Sequence, residues 1–216
     1  MAVLDPETGS LRLQIVYDGA PFSGKTSSIL ALGRILNAPV VTPGEDEGRT
    51  VYFDWMDYAG GLCQGHPIQC RVIGVPGQEE WKPRRQMILA SADAVIFVAD
   101  TSSSACLDQS LESFADLQAS LSRRSREIPV MIQLNKRDSQ DSLPVELVLE
   151  KLGIELPHIE SIATSGLGVR EAFVLTVGAS VRVLRETNAL YEPRIFDTQE
   201  MQLPNPEQLM EWLEQV

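Results

Sequence analysis

Eight consecutive residues, Gly19-Ala20-Pro21-Phe22-Ser23-Gly24-Lys25-Thr26, have the types and the spacing to hold phosphate. Glycines let backbone N–H groups curl around an anion, Lys25 can bridge phosphate oxygens, and the Thr26 hydroxyl offers a ligand to Mg²⁺. Ser23 within the run and Ser27 directly after it belong to the same cradle. The loop follows a strand-like run ending at Tyr17 and opens a helical pattern carrying Ile29, Leu30, Leu32, Ile35 and Leu36. The helix N-terminus then adds positive potential where the phosphates sit. The plain alternative is a Gly-rich turn that binds nothing; strand, loop and helix in register speak against it.

A phosphate loop alone does not separate adenine from guanine. Asn135-Lys136-Arg137-Asp138 does, because it directly follows the apolar run 130–134 at a sheet edge facing the ligand crevice. There the Asp138 carboxylate can accept from both N1–H and the N2 amine of guanine, a donor pair that adenine lacks. A site built around such polar groups rejects the wrong base by about 10⁴-fold. Lys136 is expected along the base plane, and Asn135 is expected to tie this loop back to the phosphate loop.

These two loops need strands and helices to aim them. Strand-like runs recur at 11–17, 50–56, 68–75, 94–99 and 130–134, with helical patterns at 25–36, 84–90, 107–121, 144–152 and 168–184. The alternation reads as α/β: a mostly parallel central sheet with helices on both faces. Runs 94–99 and 130–134 are almost continuously apolar, as expected for its middle strands. Run 50–56 alternates and leads through Gly60-Gly61 and Gly65 into the next strand, which predicts an antiparallel edge hairpin turning at those glycines.

Composition narrows the function. The chain has 216 residues, 18 basic and 30 acidic side chains and a net charge of −12. That is the wrong sign for neutralising nucleic acid. Seven acidic residues against Arg194 alone leave a net −6 in residues 186–216, so a linker is first plausible after Glu186. The expected division is one domain over 11–185 and an acidic extension over 186–216. Three cysteines, Cys63, Cys70 and Cys106, argue for a reducing compartment. Cys63, His66 and Cys70 lack the fourth partner of a closed zinc site, which favours ordinary hairpin residues. No secretory leader, spanning segment or prenylation cysteine is evident, so the expected location is the cytoplasm, with no direct membrane anchor.

The two motifs in this order resemble the Ras-like small GTPase superfamily. The surrounding residues are similar to the bacterial gliding-motility GTPases of the MglA type: Ile15-Val16-Tyr17, Arg49-Thr50-Val51-Tyr52-Phe53-Asp54, Val75-Pro76-Gly77-Gln78 and 95–100. The resemblance covers 11 to about 185 and implies a P-loop G domain that binds GTP or GDP with Mg²⁺. It implies that Thr50 senses the γ-phosphate and ligates the metal with Thr26, and that Gly77 donates its N–H to that phosphate. Gln78 then orients the attacking water and Arg49 acts as an intrinsic arginine finger, against the plainer reading of Arg49 as a solvated loop charge. Ala163-Thr164-Ser165-Gly166 resembles the motif whose backbone contacts the guanine carbonyl. It also implies a partner at the mobile switch segments, in MglA-type systems a roadblock-fold activating protein.

Two departures bear on rate. Gly74 stands where most Ras-like proteins carry a metal-binding Asp, as in the MglA type, and Asp54 on the neighbouring strand can point a carboxylate there instead; an ordinary edge-strand Asp is the alternative. Pro21 removes a loop N–H and adds bulk, which predicts slow or assisted hydrolysis. A scaffold that holds guanine nucleotide without turnover is the second reading, and a P-loop ATPase, disfavoured by Asn135 to Asp138, the third. Trp81 is expected either to anchor a partner or to pack on its own helix. Leu209, Met210, Trp212, Leu213 and Val216 form a helical stripe that docks on its own domain or in a partner groove.

Overall fold

The computed structural model describes residues 3–5, 8–42, 53–63, 65–153 and 155–186. Arg49, Thr50 and the stripe in the extension lie outside the described residues. In chain order the elements are β1 (Val3–Leu4), β2 (Leu11–Asp18), α1 (Lys25–Leu36), β3 (Asp54–Cys63), β4 (His66–Gly74), a 3₁₀ turn (Glu79–Trp81) and α2 (Lys82–Ser91). They continue as β5 (Ala94–Asp100), α3 (Ser104–Leu121), β6 (Val130–Asn135), α4 (Val145–Leu152), β7 (His158–Glu160) and α5 (Val169–Glu186). Each apolar run and helical pattern above falls on one of these elements, save that residues 50–52 of run 50–56 lie outside the described residues and β3 begins at Asp54.

The sheet order is β3-β4-β2-β5-β6-β7, with β1 beside β2. From β4 to β7 every pairing is parallel; β3 on β4 is antiparallel. This is the α/β P-loop G-domain arrangement with one antiparallel edge strand. Every residue of β5 is buried, because a central parallel strand is covered on both faces. The two faces make two cores. Leu13, Ile15, Ile96 and Val98 meet Ile29, Leu32 and Phe173 of α1 and α5 on one side. On the other, Val95, Phe97, Ile132 and Leu134 meet Leu89, Leu107, Phe114 and Val148 of α2, α3 and α4. Phe97 and Phe114 pack edge to face, centroids 4.9 Å apart.

Two details differ from the sequence reading. Gly60-Gly61 does not turn the hairpin: it lies inside β3, where the register with β4 shifts between Ala59 and Leu62, and Gly61 takes φ 82. A glycine pair in a strand marks a bulge as readily as a turn. The second is β1, a two-residue strand antiparallel to the start of β2. It is fastened by Asp5, whose carboxylate meets Arg12 at 2.6 Å and the Thr8 hydroxyl at 2.8 Å. None of the described helices is long and apolar enough to cross a membrane.

The crossover from β2 through α1 runs to one side of the sheet, and the path from β5 through α3 to the other. The C-terminal ends of β2, β5 and β6 therefore border one crevice at the point where strand order reverses, which is where open α/β sheets take ligands.

Candidate functional site

Asp18 ends β2, and the phosphate loop leaves from it into the N-terminus of α1. Gly24 is the residue that shapes the turn. Its φ is 106, and a Cβ there would lie 2.1 Å from Asn135 Nδ2. Glycine thus supplies both the left-handed backbone and the room for a neighbouring loop to approach. Lys25, the first residue of α1, is buried; its Nζ donates to the carbonyls of Gly19 at 2.9 Å and Ala20 at 2.7 Å. Burial pushes its ammonium down to about 8, with the Asp18 carboxylate opposing. Ser23 Oγ is buried and has no protein partner among the described residues, a polar atom suited to an anionic ligand.

Asn135, at the end of β6, is the latch between the site's three loops. Its Nδ2 donates to the carbonyl of Ser23 at 2.8 Å, and its Oδ1 accepts from the N–H of Ala163 at 2.9 Å and the hydroxyl of Ser161 at 3.1 Å. The phosphate loop, the 135–138 loop and the 163–166 loop are thereby held together through one buried amide. Lys136 takes φ 66 and sets its Nζ 2.6 Å from Asp100 Oδ2. Burial opposes ionisation of Asp100, but the Lys136 ammonium and the Ser102 hydroxyl and amide outweigh it and hold the carboxyl below its ordinary value. Asp138 is exposed, three residues beyond the end of β6. Thr164 is exposed, and its carbonyl accepts from Arg34 at 3.5 Å.

Arg137, between them, braces the loop from behind. Its Nε lies 2.8 Å from Glu160, and its Nη1 donates at 2.6 Å to both the Ser142 hydroxyl and the Leu143 carbonyl. Asp100 is not visible in the local sequence, because its Lys136 partner comes from another segment.

On the opposite flank the Thr26 hydroxyl donates to the Asp54 carboxylate, which brings together two hard oxygen groups of the kind that Mg²⁺ takes. Asp54 pairs directly across from Gly74 in the β3–β4 ladder. A Cβ on Gly74 would sit 2.7 Å from Ile29 Cδ1, which would have to move, and 3.6 Å from Asp54 Cβ, an ordinary contact distance. By contrast Asp57, three residues on, points away and pairs with Arg71 at 3.0 Å. Gly77 approaches the phosphate loop so closely that a Cβ would lie 2.5 Å from Pro21 N and 2.7 Å from both Ala20 C and Gly19 O. Gln78 follows it with an exposed side chain. Ser27 is half-buried on the first turn of α1.

The remaining candidates resolve simply. Arg84 stacks its guanidinium over the Trp81 ring at 4.8 Å, so that ring packs on its own helix. Cys63 and Cys70 are buried in the α1/α5-side core, and burial, with Asp93 adding to it, pushes the Cys70 thiol up to about 12, far from a metal-binding thiolate. The imidazole Nδ1 of His66 meets the Gly9 carbonyl at 2.9 Å.

Comparison with known proteins agrees with this geometry. The family model described as Arf, the ADP-ribosylation factor family, matches residues 63–179, just over half of the chain. The mutual gliding-motility protein MglA of Myxococcus xanthus (strain DK1622) is 27% identical over 177 residues, covering 78% of this chain and 90% of that protein. The chain belongs to the ADP-ribosylation factor family and, through it, to the Ras-like small GTPases, as a GTP-binding switch similar to MglA.

Proposed function

We propose that this chain hydrolyses GTP slowly by itself and is turned off with the help of a partner protein that orders its switch segments. The observation that carries the reading is the Asn135 latch, which joins the phosphate loop to the base-selecting loop and to Ala163 through one buried side chain. In this reading the G domain is residues 11–185, the acidic extension follows it, and the protein works in the cytoplasm. The activating partner acts at the 77–81 segment and, by the MglA-type resemblance, has a roadblock fold.

Phosphoryl transfer depends on positioning and charge, and each residue has a part in it. Lys25 and the α1 N-terminus hold the phosphates; Asp138 and Lys136 hold the base. Thr26, Asp54 and Thr50 would hold Mg²⁺, which would supply neutralisation of charge on the phosphate oxygens. Gly77 turns its N–H to the γ-phosphate, Gln78 orients the water, and Arg49 brings a cation to the transition state. The side chain of Gln78 is exposed, and Pro21 occupies the space against Gly77 without offering an N–H. Both features favour a slow reaction until a partner orders the segment.

Single-turnover hydrolysis tests the assignment. Arg49→Ala and Gln78→Ala should each lower the rate about tenfold or more while GTP affinity changes little, because these groups act on the transition state. If wild type shows no turnover with or without a partner, and both variants match it, the protein is a nucleotide-holding scaffold instead. The metal assignment has its own comparison. Asp54→Ala should speed nucleotide release and abolish most of its sensitivity to EDTA, whereas Asp57→Ala should leave both near wild type, since Asp57 is committed to Arg71. Equal effects would return Asp54 to an ordinary edge-strand residue.

A further inference from the structure

Asp18 belongs to none of the motifs above, yet its carboxylate is fully buried at the foot of the phosphate loop. Its two oxygens take the Arg85 guanidinium as a fork, Nε to Oδ1 at 2.8 Å and Nη2 to Oδ2 at 2.9 Å. Oδ1 also accepts the N–H of Gly19, the first amide of the loop, at 2.8 Å. Arg85 is 5% exposed and reaches this point from the first turns of α2. On the way its Nη2 meets the carbonyl and hydroxyl of Ser113 on α3, at 3.0 and 3.2 Å. The Asp18–Arg85 pair therefore joins β2, the phosphate loop, α2 and α3.

Stability does not require such a pair. Apolar side chains of similar volume fill a buried gap at least as well, because they carry no desolvation cost. A fork between a guanidinium and a carboxylate adds direction instead, since both bonds form in only one relative placement of the two elements. The elements placed here matter for the reaction: α2 follows Gly77, Gln78 and the 3₁₀ turn, and Gly19 begins the loop that Gly77 touches. A second tie, Lys82 to Asp116 at 2.9 Å, holds the start of α2 to α3.

We propose that Asp18 and Arg85 are positioning residues: a buried clamp pins α2 to the foot of the phosphate loop, so that nucleotide-dependent movement ends within 77–81 and Gln78 is aimed from a fixed base. The clamp rests on the GTP-switch reading above. It acts only through Gly19 and Gln78 and touches no reacting atom.

Amide hydrogen exchange on the full chain, with GDP and with a non-hydrolysable GTP analogue, tests it. In wild type the 77–81 amides should differ at least about tenfold between the two states, while those of 86–91 differ less than about twofold. Two variants avoid leaving a lone buried charge: Arg85→Lys, which keeps the charge but loses the fork, and the double substitution D18N/R85M. In both, the state-dependent difference should spread into 86–91. Single-turnover hydrolysis should fall about tenfold with GDP affinity within about threefold of wild type, a split that a merely structural role does not produce. The clamp is overturned if wild-type 86–91 amides change between states as much as 77–81, or if the folded variants keep the wild-type exchange pattern and rate. Should neither variant fold, the wild-type pattern decides alone. A wild type that binds both nucleotides without turnover overturns the hydrolysis reading, and the exchange pattern still decides the clamp.

Discussion

Gly77→Ala is expected to lower single-turnover GTP hydrolysis by about 100-fold, the scale of loss that a displacement of roughly 1 Å at a reacting centre produces. Three atoms force the displacement. The new Cβ would lie 2.5 Å from Pro21 N and 2.7 Å from Ala20 C and Gly19 O, all backbone atoms of the phosphate loop. No rotamer change relieves a collision with backbone, so the 75–78 segment or the loop itself has to withdraw. Gln78 withdraws with it, and the N–H of residue 77 no longer reaches the γ-phosphate. GDP should be held better than a GTP analogue in this variant, because only the triphosphate uses that N–H. Hydrolysis within about threefold of wild type would place Gly77 outside the catalytic arrangement.

Asn135→Ala is expected to weaken guanine-nucleotide binding by about 100-fold, or about 2.7 kcal/mol. The methyl of alanine reaches none of the partners that the amide now satisfies: Ser23 O, Ala163 N and the Ser161 hydroxyl. Leaving even two buried polar groups without partners costs about 1–3 kcal/mol each. The cost falls on the geometry of the site, because the base loop and the phosphate loop no longer share a fastening. Titration with a fluorescent GDP analogue measures the loss, and circular dichroism shows whether the fold survives it. A folded variant that binds as tightly as wild type would reduce the latch to packing.

Local chemistry explains which parts of this architecture could be read from the chain. The phosphate loop was legible because its glycines, Lys25 and Thr26 follow a strand and open a helix, all within one short stretch. The sheet centre was legible because runs 94–99 and 130–134 are apolar but for Gln133, a pattern expected of a strand covered on both faces. β1 and β7 escaped notice: at two and three residues they are too short for any periodicity, and pairing with β2 and β6 creates them. Gly60-Gly61 read as a turn, since nothing local distinguishes a turn from a bulge until the partner strand fixes the register. The ion pairs Asp18–Arg85 and Lys136–Asp100 join residues far apart in sequence, so neither leaves a spacing signal. Asp54 stood between two readings, and its contact with the Thr26 hydroxyl favours the metal-facing one.

Competition between GTP and ATP for the site is the most direct test of the account. A fluorescent GDP analogue bound to the wild-type chain should be displaced by GTP at concentrations at least about 10⁴-fold below those needed for ATP, the discrimination that a carboxylate reading N1–H and the N2 amine supplies. Asp138→Ala should lose most of that preference and keep the fold, because the Asp138 side chain is exposed and supports no core contact. Displacement by ATP as effective as by GTP in the wild-type chain would contradict the account.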